Sequence, residues 1–275
     1  MEMIEDRIAY LFVPGNRPER FEKAMASGAL PILDLEDAVA PGDKAAARQC
    51  LAVAPEIVSR SIVRINACTT PDFERDISVL RSVSPAGVLL AKAETAHDVD
   101  AVRSSLDAGT PIFALIETAK GMACAREIAA AGVARLAFGT VDFCADLQIR
   151  DDGEPLASFR TELVLASRLA GLRAPIDGVC TQITDDEALR RHARRAAAFG
   201  FGGVLCIHPR QVPVVERVFA PTQEAVERAR KIVEASAAQA SGVITVDGMM
   251  VDRPVIELAR QTLALHHRLL GEGRQ

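Results

Sequence analysis

Short apolar runs recur along the chain, separated by longer stretches in which apolar residues return with helical spacing. Eight of the runs read as strands: IAYLFV from Ile8, PILDLE from Pro31, SIVRIN from Ser61, GVLLAK from Gly87, PIFALIE from Pro111, RLAFGT from Arg135, APIDGV from Ala174 and GVLCIH from Gly203. They are mostly apolar throughout rather than alternating, the pattern of strands covered on both faces. Between them the punctuation is helical. Pro18 falls in a first turn, and Thr70 before Pro71 has the order of an N-cap followed by proline. Thr184 and Glu187 have capping-box spacing. Gly109, Gly132, Gly171 and Gly200 each stop a helical run where a left-handed C-cap favours glycine.

Eight strands alternating with helices predict parallel strands joined by crossovers, and eight is the number that closes a TIM (β/α)8 barrel. An open doubly wound sheet is the rival. It often carries a glycine-rich phosphate loop after the first strand, whereas the loop here reads VPGNRPERF. After GVLCIHPRQV the pattern changes to a helical stretch, TQEAVERARKIVEASAAQ, a turn-rich segment, SGVITVDGMMVDRP, and a last helix, VIELARQTLALHHRLL. The expected division is a barrel over 1–219 and a C-terminal helical extension with a flap over 220–275, placed to contact a neighbouring subunit.

In such a barrel the chemistry sits where strands end. The second strand ends in Asp34, Leu35, Glu36 and Asp37, the third carries Arg64 and Asn66, and the fourth ends at Lys92 and Glu94. The fifth ends at Glu117, the sixth leads to Asp142, and the eighth ends at His208. Carboxylates converging without His or Cys partners are hard oxygen ligands, suited to magnesium with substrate oxygens and waters completing the shell. Glu117 and Asp142, from adjacent strand ends, can reach one cation, and Arg64 offers a fork for a carboxylate or a developing oxyanion. Blander roles stay open. Asp37 can cap a turn, Arg64 can sit in a buried ion pair, Lys92 can neutralise Glu94 or Glu117, and His208 can fix the last turn.

Composition narrows the class. With 275 residues and a formal charge of -5, the chain suits one barrel with an appendage and lacks the basic block that nucleic-acid binding needs. One Tyr and no Trp leave little for base stacking. No apolar run is long enough for a membrane span, and no signal-peptide pattern is visible, so a cytosolic location is expected. Six cysteines without a CxxC pair predict reduced thiols and no zinc site of that kind.

The blocks LFVPGNRPERFEKA, LDLEDAV, VRIN, AKAET, IETAKG, FGTVD, GVLCIHPRQV and VDGMMVDRPV occur in this order. Together they resemble the citrate lyase β-subunit-like branch of the HpcH/HpaI aldolase/citrate lyase family, from Leu11 to about Ala259. The resemblance implies a TIM barrel that uses Mg2+, with Mn2+ as a substitute. Its members cleave or form carbon–carbon bonds in malyl-, citramalyl- or citryl-type thioesters. It implies Glu117 and Asp142 as metal ligands, Arg64 as the substrate-binding arginine, and Asp37, preceded by Glu36, as an acid near the metal's water shell. Arg17 and Lys23 match the block that approaches the thioester carrier. Asp252 matches an acid on a flap that enters a neighbouring subunit's site, which implies a homo-oligomer, often a trimer. The expected partner is an acyl-CoA thioester. The alternatives are a citrate lyase β subunit acting on an acyl carrier protein, a malate-synthase-like or thioesterase enzyme, and a binding barrel without catalysis.

Overall fold

The structure is a computed structural model and describes residues 4–238 and 244–272. All eight expected strands form: β1 Ala9–Pro14, β2 Leu30–Asp34, β3 Ile62–Ile65, β4 Gly87–Leu90, β5 Ile112–Ile116, β6 Arg135–Phe138, β7 Ile176–Asp177 and β8 Gly203–Cys206. Each pairs in parallel with the next, and β1 pairs with β8, so the sheet is a closed barrel. Helices follow the strands, as the crossover rule requires.

Side chains alternate along each strand, so a residue known to face the interior fixes the direction of those two positions away. The interior cluster contains Tyr10, Ile32, Ile62, Phe113, Leu115, Ala137, Ile176 and Leu205. Counting on by twos carries Asp34, Arg64, Glu117, Gly139, Gly178 and Ile207 to the uppermost interior layer, at the C-terminal end. Five of these six are polar or glycine where a filled layer would hold branched apolar side chains. The layer that should plug the barrel is therefore the one left open.

The opposite end is closed. Arg135, 2% exposed at the start of β6, donates to the Ala174 carbonyl, to the Arg7 carbonyl at 3.1 Å and to the Tyr10 hydroxyl at 2.7 Å.

Most punctuation falls where the sequence places it, with two slips. Gly109, Gly132, Gly171 and Gly200 have positive φ, from 70° to 106°. The Thr70 hydroxyl donates to the Ala67 carbonyl and does not cap the helix Asp72–Val83. At the helix Asp186–Phe199 the cap is Asp185, one residue beyond Thr184. Its carboxylate accepts from the N–H groups of Glu187 and Ala188, a stronger acceptor than a hydroxyl for two donors at once. The six cysteines are free, and Cys206 is buried.

The chain divides into two compact units, 1–216 and 217–275. The second holds the helices Gln223–Ala238 and Arg253–Glu272 and the antiparallel hairpin of β9 Ile244–Val246 and β10 Met249–Val251. Asp247 and Gly248, both with positive φ, make the two-residue turn that suits the hairpin's twist. Ser241–Val243 of the turn-rich segment lie outside the described residues. Among the described residues no helix is long and apolar enough to cross a membrane.

Candidate active site

A cavity of about 300 Å³ opens at the C-terminal end of the barrel. Its polar lining comes from Asp34, Asp37, Arg64, Glu117, Thr140 and Asp142, and its apolar walls include Leu115, Phe138, Val179, Leu205 and Ile207.

The β2 and β3 ends build its cationic side. Arg64 donates from Nε to Asp34 at 2.7 Å and from a terminal nitrogen to the other Asp34 oxygen, a two-point fork. A further terminal nitrogen lies 3.1 Å from Glu36, and the guanidinium packs over the Phe12 ring at 4.7 Å. Asp34 also accepts from the N–H groups of Glu36 and Ala38, which folds the acidic loop back onto the strand end. Lys44 secures the loop from below, donating to the carbonyls of Leu35 and Glu36 and to Asn66. The Arg64 pKa is raised: burial pulls it down, but the Asp34 and Glu36 carboxylates outweigh that. The guanidinium is therefore charged, fixed in plane, and has N–H donors left over.

Glu117 forms the anionic side. It is 1% exposed, and Oε1 accepts from the Lys92 N–H at 2.8 Å. Burial pushes its carboxyl up to about 8, opposed by Arg64 and reinforced by the Asp142 and Glu36 carboxylates. Gly139 makes its position possible, because a Cβ there would stand 2.4 Å from the Glu117 Cβ and 2.5 Å from its Oε2. Asp142, half-buried, sits in the first turn of the helix Thr140–Leu147 that follows β6. Among the described residues no group of three or more His, Cys, Asp or Glu side chains is arranged to hold a metal. Two hard carboxylates, one of them buried and disfavoured as a lone anion, fit a magnesium ion that keeps waters and substrate oxygens as its other ligands. The residues present thus suit that cation and give no sulfur or imidazole ligand for a softer one.

Of the residues named from the sequence, Glu36, Asp37, Arg64, Glu117 and Asp142 meet at this end of the barrel. Glu36 bonds Lys92 and approaches Arg64; burial raises its pKa against those two cations. Asp37 is more exposed; its pKa falls because Lys92, helped by Glu36 and Arg64, outweighs burial. Arg17 and Lys23 lie exposed on the segment after β1, away from these contacts. Asp252 belongs to the second unit, where its carboxylate accepts from the Val255 N–H at 3.3 Å and caps the last helix. Lys92 keeps half of its sequence reading: its ammonium bonds Glu36 and meets Asp37, its main-chain N–H donates to Glu117 while its charge also favours that carboxylate, and Glu94 pairs instead with Lys120. His208 does fix the last turn, accepting from the Arg210 N–H while Gln211 closes a capping box.

Two contributors, Gly139 and Thr140, escaped the sequence. Asp34 was named there at the end of the second strand without a role, and its inward direction was readable from the pleat, two residues after the interior Ile32. Gly139 had no signal beyond its place two residues after an interior alanine. Thr140 is buried, with a hydroxyl that has no partner among the described residues; Gly178 leaves room for it, since a Cβ there would lie 2.2 Å from Oγ1.

The chain as a whole is similar to known proteins. The family described as HpcH/HpaI aldolase/citrate lyase matches residues 8–209. A citrate lyase subunit beta-like protein of Mycobacterium tuberculosis is 40% identical over 262 residues, covering 92% of this chain and 93% of that one. A (3S)-malyl-CoA thioesterase of Cereibacter sphaeroides is 34% identical over 265 residues, covering 92% of both. Among solved structures, CitE of M. tuberculosis in complex with magnesium, acetoacetate and coenzyme A superposes with a TM-score of 0.84 at 39% identity, covering 95% of this chain and 98% of that one. A citrate lyase beta subunit from M. tuberculosis, complexed with oxaloacetate and magnesium, gives 0.72 at 39% identity, covering 80% of this chain and all of that one, 100%.

Proposed function

The chain belongs to the HpcH/HpaI aldolase/citrate lyase family, and from that premise we propose that it is a Mg2+-dependent carbon–carbon lyase for a 3-hydroxyacyl-CoA thioester, releasing a 2-keto acid and an acyl-CoA. The observation that carries this reading is the buried Glu117 carboxyl beside Asp142, facing the Arg64 fork across one cavity. Relatives that bind magnesium with coenzyme A or with a keto acid support it.

Glu117 and Asp142 would hold the cation. When bound, magnesium supplies Lewis-acid polarisation of the oxygen on the carbon that becomes the keto group. The remaining chemistry belongs to the chain's own residues. Loss of the substrate's hydroxyl proton to the water at the cavity mouth lets the bond between the hydroxyl-bearing carbon and the thioester α-carbon break, and its electron pair passes into a thioester enolate. Arg64, held rigid by Asp34, has donors to spare for that oxyanion. Asp37, kept ionised beside Lys92, orders water at the mouth. Asp252, on the second unit, is assigned the proton delivered to the enolate carbon, from a neighbouring copy in a homo-oligomer. Arg17 and Lys23 are assigned to the thioester carrier's phosphates.

Charge selects among the thioesters. Asp34, Glu36, Asp37, Glu117 and Asp142 are five carboxylates at this end of the barrel, against Arg64, Lys92 and, beneath the acidic loop, Lys44. A dication brings the set to neutrality and leaves no positive charge to spare. The second carboxylate of a citryl group would meet the apolar walls with no further Lys or Arg in the lining. A substituent of hydrogen or methyl suits those walls, so malyl- and citramalyl-CoA are the expected substrates and citryl-CoA the poor one.

The test is cleavage of the three thioesters by the isolated protein, with magnesium and again with excess EDTA. Keto acid and acyl-CoA formed only with metal support the lyase. Absence of product from any of them, with metal demonstrably bound, sinks it. A second reading, hydrolysis, is favoured by the similarity to the Cereibacter thioesterase. It is recognised by free coenzyme A appearing with malate and no glyoxylate.

A further inference from the structure

Two residues beyond the end of β4, the chain takes a conformation that a lysine does not favour. Lys92 has φ of +49°, in the left-handed region where a non-glycine side chain crowds its own carbonyl. Glycine or asparagine would serve a turn as well with less strain. What the turn achieves is a division of contacts. The Lys92 N–H points at Glu117 Oε1, 2.8 Å away, while the side chain runs to the other wall, where the ammonium bonds Glu36 and lies 3.4 Å from Asp37 Oδ2.

The charges there form an alternating ladder: Asp34, Arg64, Glu36, Lys92, Asp37. Each cation stands between two acids. Without the ammonium, Glu36 would keep Arg64 as its one cation in that ladder, and Arg64 is already forked to Asp34. A second buried carboxylate competing for the guanidinium would pull it off the plane that Asp34 sets.

We propose that Lys92 is a positioning residue for the lyase reaction: its strained turn aims a main-chain N–H at Glu117, and its ammonium holds Glu36 so that Arg64 stays fixed on Asp34. The proposal rests on the roles assigned above to Glu117 and Arg64. Lys92 acts through them and is not itself given a contact with substrate. Strain at a single residue thereby ties the metal side of the site to the oxyanion side.

The experiment compares Lys92→Met, Lys92→Gly and Lys92→Arg in the full chain. Methionine keeps the stem and the N–H but removes the charge, and glycine also relieves the strain, which guards against a folding failure. Lys92→Met is expected to lose about 100-fold in kcat, the scale of a misplaced catalytic group. Its KM is expected to move by less than about threefold, because the loss is confined to the transition state. Lys92→Gly is expected to lose the same activity with a melting temperature at or above wild type. Lys92→Arg is expected to recover most of kcat. Wild-type kcat in either neutral variant, or an Arg variant as slow as Met, overturns the proposal. A crystal structure of Lys92→Met with Glu36 and Arg64 unmoved overturns it independently of any turnover. An inactive wild type with metal bound would instead remove the lyase reading and leave the structural comparison to decide the positioning claim.

Discussion

The barrel buries an arginine at each end, and the two are solved differently. Arg135, at the N-terminal end, donates to two main-chain carbonyls and a phenol among the described residues. Arg64, at the C-terminal end, is held by Asp34 and Glu36. Carbonyls fixed in the backbone satisfy a guanidinium and leave a closed, well-packed floor. Carboxylates bring charge of their own, and here they outnumber the cations. The imbalance is visible in Glu117, whose carboxyl burial pushes up to about 8, beside a cavity where Gly139 gives that carboxylate room. Equal burial thus yields stability at one end and an unfinished electrostatic environment at the other, one that a cation and a substrate would complete.

The comparison breaks first at Glu117. Glu117→Gln and Asp142→Asn are each expected to lower metal-dependent kcat/KM by about 1,000-fold or more, measured on the preferred thioester. Stability should move the other way. A carboxyl whose folded pKa lies above its unfolded value stabilises the fold at low pH, and that contribution is lost as pH rises from about 4.5 through about 8. The metal-free protein is therefore expected to melt lower at pH 8 than at pH 5, by up to roughly 4 kcal/mol from this group. Glu117→Gln should flatten the profile, as should saturating magnesium. A metal-free melting curve that rises toward pH 8 would contradict the assignment.

Arg64→Lys keeps the charge but loses the planar fork. A loss of about 100-fold in kcat is expected, with metal affinity little changed. Arg135→Met, at the other end, should do the reverse: about 3 kcal/mol of stability lost in denaturant melts, with kcat per folded molecule unchanged. Catalytic loss in Arg135→Met without destabilisation would erase the contrast between the ends. The smallest effect is expected from Arg17→Ala and Lys23→Ala, which should raise KM for a CoA thioester by roughly threefold each and leave kcat alone, as exposed charges do.

The sequence alone determined the barrel. Eight apolar runs of strand length, separated by helical stretches and stopped by glycines, leave few alternatives once parallel strands must be joined by crossovers. It also marked most of the site, because strand ends in this fold are where polar residues need a reason to be. Glu117, Asp142, Arg64, Glu36 and Asp37 were found that way, and their convergence follows from closure of the sheet. What only the tertiary structure decided is how these groups are paired. Asp34 rather than Glu36 carries the Arg64 fork because it is the last residue of β2 and stands directly beside Arg64 in the β2–β3 ladder. Lys92 serves Glu36 through its side chain and Glu117 through its main chain because a left-handed turn separates the two. Gly139 matters because a carboxylate from the neighbouring strand fills the space a Cβ would need. A one-dimensional pattern records which residues lie near strand ends. Direction, partner and free volume are set by neighbouring strands distant in sequence, and those become definite only when the barrel closes.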